Sequence, residues 1–410
     1  MKRTIFTITV VLFAMTLFGA GQREAQRITV LHAPEGELSV MNYAAEKLRE
    51  DFPDVEVELL TVDLSDGSTL TMDALLAAGS APNVYVDYIG RVSKYLRPEY
   101  ALALDDYIRD IDQYIPSALA PYRRDGTLYG LPQPGGAQGM AVNMELMEEI
   151  GFTPTFDWTV TDFLEMAELA KDHGYWATGM FAANQSGDYL INNWFPVFGA
   201  EWYAGGYERT TIDRAGADVY TFFQDLVINE YVPPNAAALT DDDYVIQFAS
   251  GQIAATAFFP GWLDPYFSTV IEQGMIDEPF PVEFFPFPNS SPTYVSNSAI
   301  VVHETGTDAD IWAARFAEYA NDAYIQSEQS RAHTIPNRRD ARMLSDSAWV
   351  QQTAAIMVAN GLYDVGLTQP FFARTRPQHF PVLQKVLNLE ATPEEAIAEY
   401  ADRLNEALVE

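Results

Sequence analysis

The five histidines of this 410-residue chain stand at positions 32, 173, 303, 333 and 379, and no two fall at the HExxH spacing of a zinc protease. There is no cysteine, which removes thiolate zinc sites, cysteine nucleophiles and disulfides together. Neither a GxSxG elbow nor a phosphate-binding GxxxxGK[ST] loop is present. Gly135-Gly136-Ala137-Gln138-Gly139 is glycine-rich, but it lacks the lysine of a phosphate cradle and is expected to let backbone pass close beside a ligand. The 58 acidic residues leave room for a pair of catalytic carboxylates, as in glycosidases, yet no pair is singled out by its spacing. No motif calls for a metal or a cofactor.

Aromatic side chains are where chemistry concentrates. They make up 13% of the chain, and Tyr88, Trp194, Trp202, Tyr203, Trp262, Tyr266, Phe371 and Phe372 fall in segments expected to be loops. The apolar CH face of a sugar ring stacks on such planes, while its hydroxyls need fixed polar partners. Core packing is the competing role, and it suits Trp194 and Trp202 better than Trp262. Asp87 can bind hydroxyls or cap the segment after it. His32 fits a structural role better than a ligand contact. Arg374 and Arg376 stand out in so acidic a chain; a guanidinium suits phosphate or carboxylate, or pairs with a surface acid.

Alternating strand and helix patterns must position these groups. A β-rich run at Ile28–His32 precedes a helix capped by Ser39, with Val40, Ala44 and Leu48 on one face. Strand-like Val55–Val62, helical Leu70–Ala78 and strand-like Asn83–Asp87 follow, the signature of a parallel α/β unit. Ligands in such sheets sit beyond the carboxyl ends of the strands, here the segments 32–36 and 87–90. Further on, Thr159 and Asp162 form a capping box before the apolar face of Phe163, Met166, Ala167 and Ala170. The C-terminal helix opens on Thr392-Pro393-Glu394-Glu395 and carries a stripe of Ile397, Tyr400, Ala401, Leu404 and Leu408.

The first 21 residues read as a secretory signal peptide: Lys2 and Arg3, an apolar run from Ile5 to Phe18, then Gly19-Ala20-Gly21 before the cut. The run is shorter than the roughly 20 apolar residues a membrane span takes. A secreted or periplasmic protein is expected, with no cysteine for a lipid anchor. The net charge of −34 repels nucleic acid and anionic lipid surfaces, and the dispersed acids with 48% hydrophobic residues exclude a disordered acidic tail.

Several motifs recur in one order along the chain. Gly126-Thr-Leu-Tyr-Gly-Leu-Pro132 with the segment from Ala141 to Gly151 resembles the "GxxYGLP … YNxxLFxxxG" pattern of bacterial extracellular solute-binding proteins of family 1, the receptors of ABC importers. Asp157–Phe163 resembles that family's "TWxEF", and Gly251–Trp262 its "FxxGxAAMxxxGxW", departing at Phe258-Phe259 and Pro260. Thr334–Asp340 resembles its "xxPxRxD" turn, and His32–Leu38 the "FWHxxEGEL" start of glycerol-3-phosphate-binding relatives.

The resemblance implies an α/β, two-lobed periplasmic-binding-protein fold of type II, each lobe a mainly parallel sheet flanked by helices, joined by three hinge crossings. The implied division is 22–134 and 288–336 for the first lobe, and 135–287 and 337–410 for the second. A sugar or oligosaccharide would bind between the lobes, with a glycerol phosphate compound or a secreted carbohydrate-active enzyme as rival readings. The implied ligand set is Trp262, Gly261, Tyr88, Asp87, Gln138, Trp194, His32, Glu35, Arg376 and Arg374, the last two for a phosphate. Implied partners are the solute and ABC permease subunits in the inner membrane; the receptor is expected to be a monomer, not an enzyme, with no nucleic acid bound.

Overall fold

The computed structural model describes residues 26–32, 38–61, 70–183, 188–204, 206–332 and 334–409. The signal segment and Glu35 lie outside the described residues.

The described strands are, in chain order, β1 (Gln26–His32), β2 (Val55–Thr61), β3 (Val84–Tyr88), a short hairpin of β4 (Arg123–Arg124) and β5 (Thr127–Leu128), and β6 (Leu131–Ala137). Then come β7 (Gly139–Asn143), β8 (Ala255–Phe258), β9 (Val282–Phe285) and β10 (Val295–Val302). The first sheet has the order β2-β1-β3-β10-β6, and β1 pairs in parallel with both β2 and β3. Only β10 runs against its neighbours, because it returns from the second lobe. This is the parallel unit expected from the alternating pattern.

The second sheet departs from the expectation of a mainly parallel arrangement. Its order is β8-β7-β9, and both pairings are antiparallel. β7 carries the chain into this lobe and β9 carries it out. Side by side, they have to run in opposite directions.

Each lobe has its own core. One is built from residues between Ile28 and Leu131 and between Ala299 and Ile325, the other from Met140 to Tyr294 and Val365 to Leu404. Tyr294 packs with the second core, and Asn289 bonds through its side chain to the Val197 carbonyl. Val295 then opens β10 in the first sheet. Near Pro336 the chain runs along the first crossing, where Gly135 and Ile335 exchange backbone hydrogen bonds. Arg338 is held there by a two-point contact with Asp340 and lies over the Tyr114 ring at 5.0 Å.

Local signals act as their chemistry dictates. Asn143 caps the helix Met144–Ile150, which Gly151 ends at φ +74°. Thr159 and Asp162 satisfy each other's backbone groups before Val160–Asp172, and Thr392 and Glu395 do the same for Pro393–Val409. Ser39 lies inside the helix Leu38–Asp51 rather than at its cap. No described helix is long and apolar enough to cross a membrane.

Candidate functional site

The carboxyl end of β3 brings Tyr88 to the junction of the lobes, where its ring packs against both cores. The Tyr88 hydroxyl bonds to that of Tyr294, which immediately precedes β10. From the second lobe, Tyr189 stacks on Tyr294 at 5.8 Å and 13°. Trp262 stands edge-on to Tyr189 at 6.0 Å and against Phe259 at 4.8 Å. The residue is 44% exposed, although three aromatic rings pack against it. The expected loop around it is a helix, Pro260–Glu272. Pro260 explains the change: its fixed φ suits the first helical position, where no backbone N–H is needed. Gly261 and Trp262 follow in the first turn.

Arg376 closes this cluster. Its Nε and Nη2 donate to Asp188 Oδ1 at 3.1 and 2.7 Å, and its guanidinium lies 5.8 Å from the Tyr88 ring centroid. Burial pulls the pKa of Arg376 down, but the Asp188 carboxylate outweighs it and holds the group above its ordinary value. Asp188 is buried and Arg376 nearly so, and their formal charges cancel.

Four other candidates, Asp87, His32, Trp194 and Gln138, are buried within the fold. Asp87 is 1% exposed and takes hydrogen bonds from the Tyr85 hydroxyl, the Tyr88 backbone and two Arg91 nitrogens. A carboxylate offers about four acceptor sites, so these bonds use them up. His32 is fully buried, with Nε2 3.3 Å from Thr61 Oγ1. Trp194 is core: it meets Phe163 edge-on at 5.0 Å. Gln138 is buried at the first crossing, where Oε1 accepts from Asn193 and its backbone carbonyl accepts from Thr293.

Arg374 lies away from the aromatic cluster and donates to the Ala407 carbonyl, tethering the C-terminal helix. The glycine-rich crossing is closely packed. A Cβ on Gly136 would sit 3.2 Å from the Phe259 ring, and one on Gly139 3.1 Å from Ile356 and Phe284.

The geometry adds Asp188, Tyr189, Phe259 and Tyr294 as candidates that the sequence did not single out. A weak signal existed for Tyr294, an aromatic immediately before a crossing strand. For Asp188, one acid among 58, there was none.

Residues 33–323 match the model of the family described as bacterial extracellular solute-binding protein. The chain belongs to this family. Among curated proteins, this solute-binding protein is 25% identical over 232 residues to the arabinooligosaccharide-binding protein of Halalkalibacterium halodurans. That match covers 52% of this chain and 48% of the relative, so the chain spans about half the length of the curated relative it matches. Among solved structures it is similar to the GacH receptor of Streptomyces glaucescens, described unliganded and with acarbose, at TM-score 0.77 and 18% identity over 95% of this chain and 100% of that one. A chitin oligosaccharide binding protein matches at TM-score 0.76 and 19% identity over the same shares. These likenesses establish the two-lobed fold.

Proposed function

We propose that this solute-binding protein is exported, closes its lobes on a sugar or oligosaccharide, and delivers it to an ABC permease without chemical turnover. The observation that carries the reading is the exposed Trp262 ring, braced by Tyr189 and Phe259 at the lobe junction. A half-exposed indole held by other aromatics is a ready platform for the apolar face of a pyranose or furanose. The names of the relatives point the same way, since all three bind oligosaccharides or their analogues.

The phosphate reading is weaker because Arg376 already has a carboxylate partner. A phosphate there would place two anions on one guanidinium in a chain of net charge −34. Hinge strands at 135–138, near 286–294 and near 335–340 support closure about one axis. Signal-peptide removal after Gly21 and a monomeric receptor belong to the same reading.

Calorimetric titration of the mature protein with arabino-, malto- and chito-oligosaccharides and with glycerol 3-phosphate tests it. Saturable binding of one sugar series, with no product after prolonged incubation, is expected. Binding of glycerol 3-phosphate alone would overturn the sugar assignment, and hydrolysis would overturn the receptor assignment.

A further inference from the structure

A cavity of about 520 Å3 lies at the hinge. Ile115, Ala118, Tyr122 and Gln133 wall it on the first-lobe side, Met357, Leu362 and Tyr363 on the other, with Gly135 and Ile335 between. None of Trp262, Tyr189, Phe259, Asp188 and Arg376 lines it. Its size falls in the range of small-molecule sites, roughly 300–1,000 Å3.

Three features define what would fit. The lining is predominantly apolar, from isoleucine, leucine, proline, methionine and tyrosine side chains. Asp364 is the one charged residue among those lining it, so no cation awaits an anionic group. Two buried polar atoms on the walls lack a hydrogen-bond partner among the described residues: Gln133 Nε2, on a side chain 2% exposed, and the Tyr363 hydroxyl. Leaving a buried donor unpaired is costly, and an acceptor on a bound molecule would relieve it.

We propose that this hinge cavity is a second binding site, for a small, neutral, mainly apolar molecule carrying a carbonyl or hydroxyl acceptor for Gln133 and Tyr363. Because its walls come from both lobes, an occupant stabilises the lobe angle at which the cavity has this shape. Tyr294 joins the two sites: it lines the cavity, lies 5.8 Å from Tyr363, and stacks on Tyr189 beside Trp262. Binding in the cavity therefore alters sugar affinity, and sugar alters cavity affinity by the same factor. This linkage rests on the sugar reading; occupancy of the cavity does not.

The probe is prodan, a neutral naphthyl ketone whose emission shifts to the blue in apolar surroundings, titrated into the mature full chain. One saturable site per protein is expected. Ala118→Trp, which fills the cavity from its first-lobe wall, should abolish that site. Gln133→Leu should weaken it roughly tenfold, the scale of one hydrogen bond. Trp262→Ala should leave it intact. Should Ala118→Trp fail to fold, Leu362→Trp at the exposed rim serves in its place, with the same loss expected. Absence of saturable binding overturns the proposal, as does a signal lost in Trp262→Ala but kept in the cavity variants. Sugar titrations with and without saturating prodan read the linkage separately. Equal affinities in the two overturn the coupling and leave the sugar assignment standing.

Discussion

At the scale of single residues, the contrast between Trp194 and Trp262 shows what exposure decides. Trp194 is buried against Phe163 and Phe222, whereas Trp262, packed on Tyr189 and Phe259, is 44% exposed. Trp262→Ala should therefore cost about 1–3 kcal/mol of sugar affinity, the scale of truncating an interface aromatic. Calorimetry reads the affinity and circular dichroism the fold; unchanged affinity would remove Trp262 from the site.

His379 belongs to a different balance. It is buried between the rings of Tyr400 at 4.9 Å and Tyr220 at 6.1 Å, and neither ring nitrogen has a hydrogen-bond partner among the described residues. Burial lowers its pKa to about 3. The unfolded chain, with an ordinary histidine value of about 6.5, binds the extra proton between these limits. Stability from this group is thus full above about pH 6.5 and declines as pH falls toward 3, by at most about 1.4 kcal/mol per pH unit. His379→Phe should flatten the fall of the melting temperature in this window. Parallel curves for the two proteins would show that His379 does not set it.

Among the elements, the contact between the β3 end and the segment 367–376 holds the lobes together in this arrangement. Ser93 Oγ donates to the Gln369 carbonyl at 3.0 Å, and Arg124 donates to that of Thr368. Phe372 packs directly over Gly90, where an added Cβ would lie 2.5 Å from the Tyr88 ring and 2.6 Å from that of Phe372. Two rings in a packed interface cannot both yield, and overpacking of this kind costs about 1–3 kcal/mol. The least costly relief is separation of the lobes. Gly90→Ala should raise the radius of gyration of the sugar-free protein and weaken sugar binding by a similar free energy. Scattering and calorimetry on the one variant test both, and wild-type values in each would show that the contact tolerates the methyl group.

For the whole molecule, two separate cores that meet along the Gly135–Ile335 backbone contact are expected to open and close against each other. A saturating oligosaccharide should compact the protein in solution while leaving its circular dichroism unchanged. A radius of gyration that stays constant with sugar demonstrably bound would count against lobe closure.

The sequence by itself determined what depends on near neighbours. Caps at Thr159 and Thr392 were readable because donor and acceptor lie within four residues, and the parallel β1-β2-β3 unit because its pattern repeats along the chain. Ordered motifs also made the two-lobed fold legible. Only the tertiary structure decided which side chains remain free. Arg376 looked available for a phosphate until Asp188, 188 positions earlier, was found beside it. Asp87 looked ready for a sugar hydroxyl until Tyr85 and Arg91 were found to occupy its oxygens. The antiparallel second sheet was hidden for a related reason: strand direction follows from where the chain enters and leaves a lobe, and no local pattern records that. Burial and hydrogen bonding are properties of neighbours brought from far along the chain, so residue type set the possible chemistry of each side chain and packing chose among the possibilities.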